Sequence, residues 1–321
     1  MRHAYVFVVV IVVCTFLAYF NSLHTPFLFD DEVTIRGHKS VQTQTYPILS
    51  PRGITYNSYR GQTEPWHYHL VNVSLHAMNS ALMYAIAGGG MVGLLSGLFF
   101  ALHPIQTESV TYITGRAELL AAMFILIGAY LCQKNRPYIA LALYPAAMLS
   151  KESAVIMPAL CLAISWQSYG LPRNWRKLIV TMSVLLCCGA WWILRNGATG
   201  FVTTFSASMT YLHAQATVLL HYLALILWPT GQYQNVDPTI TPTLLTTIVG
   251  VGVALLLSLS VYVKRRSVVG LGIAIFVVAL LPTSTLVPIP DLMAEHRLYT
   301  PMIGVALVFG DLFKRSYGGQ R

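Results

Sequence analysis

The stretch HPIQTESVTYITGRAELLAAMFILIGAYLCQKNR, residues 103–136, decides the fold. A polar first part runs to Arg116, an apolar run covers 117–132, and Lys134 and Arg136 close it. A hydrocarbon core takes a helix of about 20 mostly apolar residues, fewer inside a bundle, so 117–132 reads as one membrane crossing. Lys and Arg in short loops mark the cytoplasmic side, which puts the end carrying Glu108 and Glu118 outside. One crossing already separates a basic loop from an acidic one.

Working outward, the same rule gives crossings near 4–20, 68–87, 89–103, 138–150, 154–169, 178–195, 244–263, 268–282 and 301–313, ten in all with 117–132. The segment 138–150 is short and holds Pro145. Residues 1–20 have the basic start and apolar run of a signal peptide, but no small-residue cleavage site follows, so they read as a retained span. Arg2, Lys134 with Arg136, Arg173 with Arg176 and Lys177, Lys264 with Arg265 and Arg266, and Lys314 with Arg315 share one face only if His213 to Pro229 does not cross. That stretch is expected to be a re-entrant or interfacial helix on the outer side, where His213, Gln215 and His221 suit a partly wet position. The expected fold is an all-α polytopic membrane bundle with a large first outer loop at 21–67. It forms one membrane domain over 1–321 with no soluble C-terminal domain, both ends lying in the cytoplasm.

Composition agrees. The chain has 321 residues, 55% hydrophobic and 10% charged, against roughly 25% charged in a soluble domain. Mean hydropathy is +0.61. An ordinary soluble enzyme is excluded. The net charge of +9 would suggest nucleic acid in a soluble protein; here it records orientation and contact with anionic lipid headgroups, and no nucleic-acid partner is expected. Cys14, Cys132, Cys161, Cys187 and Cys188 all lie in apolar runs, which argues against a disulfide framework.

With this sidedness every acid except Asp311 falls outside: Asp30, Asp31, Glu32, Glu64, Glu108, Glu118, Glu152, Asp237, Asp291 and Glu295. Acids have little influence on topology, so the asymmetry needs another cause. The outer cations Arg116, Lys151 and Arg297 each stand within two residues of a carboxylate, and Arg195 ends a span. Taken singly these are local ion pairs. Taken together, they point to a shared polar cavity on one membrane face.

Candidate chemistry lies in a set of short polar motifs. Asp30-Asp31-Glu32 follows a span directly; a solvated acidic cluster is the bland reading, but carboxylates beside a low-dielectric surface acquire raised pKa values that suit a general base. His69, Asn72 and His76 share a helix face. With His67 they are too loosely spaced for a tight ligand set, and packing through hydrogen bonds is the expected role. In His103–Glu118 the residues Glu108, Tyr112 and Arg116 repeat at four, as on one face of a short surface helix. Its acids could bind an acceptor or a cation and its arginine a phosphate, and an amphipathic connector is the plain alternative. Lys151 in Ser150–Ser153 and Arg297 in Glu295–Tyr299 are further cations for a phosphate, with Glu152, Glu295, His296 and Asp237 beside them.

The segments FDDE at 29–32, HYHLVNVSLHAMNSALMY at 67–84, HPIQTESVTYITGRAELLAAMF at 103–124, MLSKES at 148–153 and EHRLYTPMIG at 295–304 occur in this order. In this they resemble the transmembrane O-mannosyltransferases that target cadherins and their bacterial relatives, within the C-type (GT-C) integral membrane glycosyltransferases. The resemblance covers about residues 5–313. It implies a polytopic enzyme with a catalytic outer face, a sugar donor carried on polyprenyl phosphate, transfer to a hydroxyl of a protein, glycan or lipid, and release of the lipid phosphate. An acid of the first loop is the base or acceptor activator; the matching positions are Asp30 first and Asp31 second. Arg116, Lys151 and Arg297 would hold the donor phosphate, with Glu32, Glu108, Glu118, Glu152, His103, Asp237, Glu295 and His296 in supporting roles. The family commonly adds a tetratricopeptide array after the membrane domain, whereas this sequence stops at Arg321, so recognition by such an array is missing or comes from a partner protein. The first loop is also abbreviated between Tyr59-Arg60 and Trp66-His67. Mannose and cadherin acceptors are therefore not carried over.

The expected activity is a bacterial inner-membrane glycosyltransferase working on the outer face. Asn72-Val73-Ser74, a glycosylation sequon, is buried in a span and offers nothing to a eukaryotic lumen. The chemistry requires no cofactor, and a divalent ion on the acidic loop is allowed but not required. A transporter or flippase for a lipid-linked or anionic substrate is the alternative, and inverted repeats with charges at mid-membrane would mark it. A non-catalytic membrane subunit is a third reading, which the outer carboxylates disfavour.

Overall fold

The computed structural model describes residues 2–28, 30–62, 64–170, 175–196, 205–231, 242–264, 266–284 and 291–318. Among them the fold is entirely helical: 81% is helix and no strand forms. In chain order the helices are α1 Arg2–Ala18, α2 Lys39–Gln42, α3 Gly53–Asn57, α4 Pro65–Ile86, α5 Gly90–Leu102, α6 Thr107–Thr111, α7 Arg116–Gln133 and α8 Pro137–Ala142. There follow α9 Tyr144–Ser150, α10 Met157–Tyr169, α11 Trp175–Asn196, α12 Phe205–Leu227, α13 Leu244–Val263, α14 Val268–Leu280 and α15 Pro301–Gly318.

A helix occupies each stretch read as a crossing. Four helical segments, Ile113–Gln133, Arg176–Ile193, Met209–Leu227 and Leu244–Val263, are long and apolar enough to cross a membrane. A fifth qualifies if α5 and Pro104–Thr111, which meet at a 53° bend, count as one broken span. Others are shorter, and 138–150 is divided into α8 and α9 before Pro145, since a proline nitrogen cannot donate to the helix ladder. His213 to Pro229, expected to be re-entrant or interfacial, lies largely in the unbroken α12, and the observed bend falls instead before Pro104.

The ends of the helices follow local chemistry. Pro65, with no N–H to strand, sits in the first turn of α4. Thr243 and Thr246 cap α13 reciprocally, each hydroxyl accepting the other's backbone N–H at 3.1 and 3.0 Å. Ser267 accepts from Gly270 N–H at 3.1 Å to start α14. Gly272 and Gly304 let α14 and α15 touch: a Cβ on either would collide with the other's carbonyl oxygen.

The buried core centres on α4, α7, α10, α14 and α15. His69, Asn72 and His76 do share the inner face of α4, and all are buried. His76 Nε2–H donates to Ala101 O at 3.0 Å, which leaves Nδ1 to accept the Tyr299 hydroxyl at 2.8 Å. Asn79 Nδ2 donates to the same hydroxyl at 3.0 Å. Burying these side chains is tolerable because each makes at least one hydrogen bond, although His69 Nδ1 and Asn79 Oδ1 find no partner. The network ties α4 to α5 and to the turn before α15.

Candidate active site

The loop at 21–67, expected on the outer side, folds over the ends of α4, α7 and α9. Thr55 Oγ1 donates to Ser150 O at 2.8 Å, and Arg116, at the start of α7, runs into the loop's interior. Its Nε donates to Asn72 Oδ1 at 2.8 Å, its Nη1 to Ser58 O at 2.9 Å, and its Nη2 to Gln62 Oε1 at 3.0 Å and Tyr68 O at 2.8 Å. The Tyr59 ring lies 4.6 Å from the guanidinium carbon. All three guanidinium nitrogens of Arg116, expected at a phosphate, bond the chain's own acceptors and tie the loop to α4 and α7.

The expected helix face of Glu108, Tyr112 and Arg116 does not form either. The chain leaves helix at Tyr112, with φ −82° and ψ 126°, and makes a single 3-10 turn at Ile113–Gly115 before α7 begins. Gly115 packs so closely on Ser109 that a Cβ would strike its carbonyl. The three side chains consequently point to different partners.

Tyr112 meets the acidic motif. Asp30 N–H donates to Tyr112 Oη at 2.8 Å, and the exposed Asp30 side chain lines an outer hollow. Asp31 turns inward and is buried, accepting from Thr114 N–H at 3.0 Å and Leu28 N–H at 3.4 Å. Burial raises its carboxyl to about pKa 6 despite those donors, which favour the charged form. Burial also pushes the Tyr112 hydroxyl up to about 12. Glu32 lies outside this arrangement, paired on the surface with Arg36 at 3.0 Å.

The hollow has a volume of ≈ 160 Å³. Asp30, Arg52 and Tyr112 line it from the loop side, Lys151 from the end of α9, and Asp291 and His296 from the segment before α15. A ring of carboxylates supports the cations. Lys151 pairs with buried Glu118, and Arg52 with Glu152 at 3.3 Å. Glu108 accepts from His296 twice, from the backbone N–H and from Nδ1, both at 2.7 Å.

The structure thus brings Asp30, Lys151 and His296 to one hollow, with Asp31, Glu108, Glu118 and Glu152 directly behind. Arg297 is buried beside it and donates to Asp291 O at 2.7 Å. Glu295 is buried in the same turn. His103 is not at the hollow: it accepts from Ile105 N–H at 3.2 Å and its Nε2 meets Ile226 O at 3.0 Å, joining α5 to α12. Asp237 falls outside the described residues. Among these, no three of His, Cys, Asp and Glu gather as metal ligands. The sequence reading missed Arg52 and gave Asp291 no site role. Arg52 stands in a long polar loop with no periodic pattern, one of four cations there with Arg36, Lys39 and Arg60, and nothing in the sequence singled it out.

A second cavity, apolar and of ≈ 330 Å³, lies among α12, α13 and α14 and is lined by Leu219, Ala254, Leu257, Phe276 and Leu280. Tyr222 and Gln215 also line it and tie it to the hollow's edge. The Tyr222 hydroxyl donates to Ala294 O at 2.9 Å, and Gln215 Nε2 to Leu292 O at 2.9 Å.

With this geometry in place, comparison with known proteins gives a consistent direction. The chain is similar to protein O-mannosyl-transferases. It is 33% identical over 146 residues to tmtc2 of Xenopus laevis, covering 37% of this chain and 18% of that protein. To TMTC2 of Homo sapiens it is 33% identical over 136 residues, covering 34% and 16%. To F38B6.6 of Caenorhabditis elegans it is 25% identical over 293 residues, covering 79% and 40%. The matches therefore span less than half of these relatives' lengths. No family model matches the chain, and no solved structure does.

Proposed function

We propose that this chain is a C-type integral membrane glycosyltransferase that moves a sugar from a polyprenyl-phosphate donor to a hydroxyl acceptor on the extracytoplasmic face. The observation that carries this reading is the hollow in which Asp30 stands with Arg52 and Lys151. The names of the similar proteins support the transfer of a sugar.

The chemistry needs two things at one place. An acceptor hydroxyl must lose its proton as it attacks, and the Asp30 carboxylate is exposed to receive it. The acceptor oxygen bonds to the anomeric carbon while the carbon–oxygen bond to phosphate breaks, its electron pair passing to the phosphate oxygen. Lys151 and Arg52 would hold that charge, sharing it with Glu118 and Glu152. Asp31 acts behind Asp30, fixing the Thr114 turn. One displacement inverts the anomeric configuration.

The apolar cavity beside the hollow suits the donor's isoprenoid chain, since its Tyr222 and Gln215 bond to the segment that carries Asp291 and His296. We read the chain as one membrane domain of about ten crossings with both ends of the sequence cytoplasmic, in a bacterial inner membrane. In that reading α12 lies along the outer surface. Tyr211, Gln215, Tyr222 and Ile226 touch Thr283, Leu292, Ala294 and His103, all at outer ends of other elements.

The test is transfer by the purified chain in proteoliposomes, using polyprenyl-phosphate sugars and hydroxyl acceptors, with linkage analysis of the product. An inverted linkage dependent on Asp30 is expected. Retained configuration, or transport of the lipid-linked sugar without transfer, would reject the mechanism.

A further inference from the structure

The first outer loop encloses another cavity, across Tyr59 from the hollow. Its volume is ≈ 290 Å³, walled by the rings of Phe27, Tyr59 and Tyr68 and rimmed by Arg36, Gln42 and Gln44. Phe27 and Tyr68 meet edge to face at 5.4 Å, and Tyr59 and Tyr68 are tilted at 5.7 Å, so the rings form an open corner and not a closed stack.

The rim is close to electrical neutrality. Arg36 is paired with Glu32 at 3.0 Å and stands 5.4 Å over the Phe27 ring. An anionic ligand would find this single cation already matched, and a hydrocarbon chain would meet a polar rim on which the Gln42 and Gln44 side chains are exposed. The combination instead suits an uncharged ring with polarised C–H bonds on its faces and hydroxyls at its edge. Aromatic faces are electron-rich and attract such C–H groups. Gln44 offers one acceptor and two donors to neighbouring hydroxyls, and Gln42, whose Nε2 donates to Arg36 O, still offers its amide oxygen.

Backbone conformation gives a second indication. Gln44 and Arg52 both lie in the left-handed region at φ 56°, which costs a residue bearing a Cβ roughly 1 kcal/mol. Asn135, at φ 59°, is the other such non-glycine residue described, and asparagine tolerates the conformation. Gln44 lines one cavity of the loop and Arg52 the other. Long polar side chains are kept at two positions where glycine would relax the backbone.

We propose that this cavity is a saccharide subsite, holding a neutral sugar ring on an acceptor that already bears a glycan, distinct from the hollow where transfer occurs. Its acceptor assignment rests on the transferase reading; its binding of sugar does not.

The probes are methyl glycosides of mannose, glucose and galactose, with binding to the full chain in lipid nanodiscs followed by saturation-transfer NMR. At least one glycoside is expected to bind, and Gln44→Gly, which relaxes the backbone while removing the amide, should weaken it about tenfold. Arg36→Met should weaken it similarly, and Lys151→Met in the hollow should leave it unchanged. Absence of binding at tens of millimolar, equal binding by Gln44→Gly, or loss in Lys151→Met would overturn the subsite. So would Gln44-dependent binding of an unglycosylated Ser/Thr-rich peptide in place of the glycosides. Competition by a glycopeptide supports the acceptor as the source, whereas competition by a polyprenyl-phosphate sugar would give the cavity to the donor and reject the acceptor assignment. Gln44-dependent glycoside binding in a chain that transfers nothing would keep the sugar site and remove the transferase reading.

Discussion

The backbone N–H of Asp30 donates to the hydroxyl oxygen of Tyr112 at 2.8 Å, joining the first outer loop to the turn that starts α7. One residue on, Asp31 makes a parallel tie to Thr114 N–H at 3.0 Å. Asp30 is therefore aimed at the hollow by its backbone, not by a partner for its carboxylate. Tyr112→Phe removes the acceptor and keeps the ring, while the Asp31 tie preserves the fold. The expected result is a fall in kcat of roughly tenfold to a hundredfold from lost alignment, with unchanged melting temperature. Steady-state transfer kinetics beside a thermal-unfolding trace would check it.

Asp30→Asn tests the base directly. The residue is exposed, so the isosteric amide should not disturb stability or insertion. Loss of a positioned base costs about 10²–10⁴ in rate, read as kcat in proteoliposomes with a defined lipid donor. Full activity in Asp30→Asn with loss in Asp31→Asn would move the base to Asp31. Full activity in both would remove the loop carboxylates from the chemistry.

Arg116 should behave as a structural residue. Arg116→Met would remove the donor to Asn72 Oδ1, Gln62 Oε1 and Tyr68 O, leaving Ser58 O only its bond from Gln62 Nε2, and a buried set of this kind is worth about 3–5 kcal/mol. Arg116→Lys keeps the charge but loses the planar fork and should recover little of it. Unfolding in nanodiscs measures the loss. The fraction that remains folded should bind donor with ordinary affinity; a selective rise in KM at full stability would return Arg116 to the phosphate.

The helices were legible because a bilayer leaves a long, one-dimensional imprint on hydropathy, as in the run 117–132. Partner choice was not. Lys151 precedes Glu152 and Arg116 lies two before Glu118, yet Lys151 pairs with Glu118, Glu152 with Arg52, and Arg116 with neutral acceptors. Residues one or two apart on a helix face different directions, so adjacency in sequence predicts little contact. Arg52 and the cavity walled by Phe27, Tyr59 and Tyr68 were hidden in 21–67 and the start of α4, where short helical turns carry no period long enough to read. The path of α12 was ambiguous because its length and apolarity fit a crossing, while the elements it touches are tertiary information.

The raised carboxyl of Asp31 gives a pH dependence of fixed sign. Its ordinary value of 3.8 in the unfolded chain becomes about 6 when buried, so the folded state binds the proton more tightly. Stability from this group is complete below pH 3.8 and is lost as pH rises through about 6, an effect on the order of 3 kcal/mol. Above that, Asp31 is ionised in both states and the curve is flat. Other carboxylates titrate in this window, so the informative quantity is the difference between the parent and Asp31→Asn, whose amide oxygen can still accept from Thr114. Denaturant unfolding in nanodiscs from pH 4 to pH 8 should show Asp31→Asn gaining on the parent as pH rises, with the gap levelling above about 6. A gap that stays constant, or widens toward low pH, would mean that Asp31 is solvated and that the inner wall of the hollow is wet.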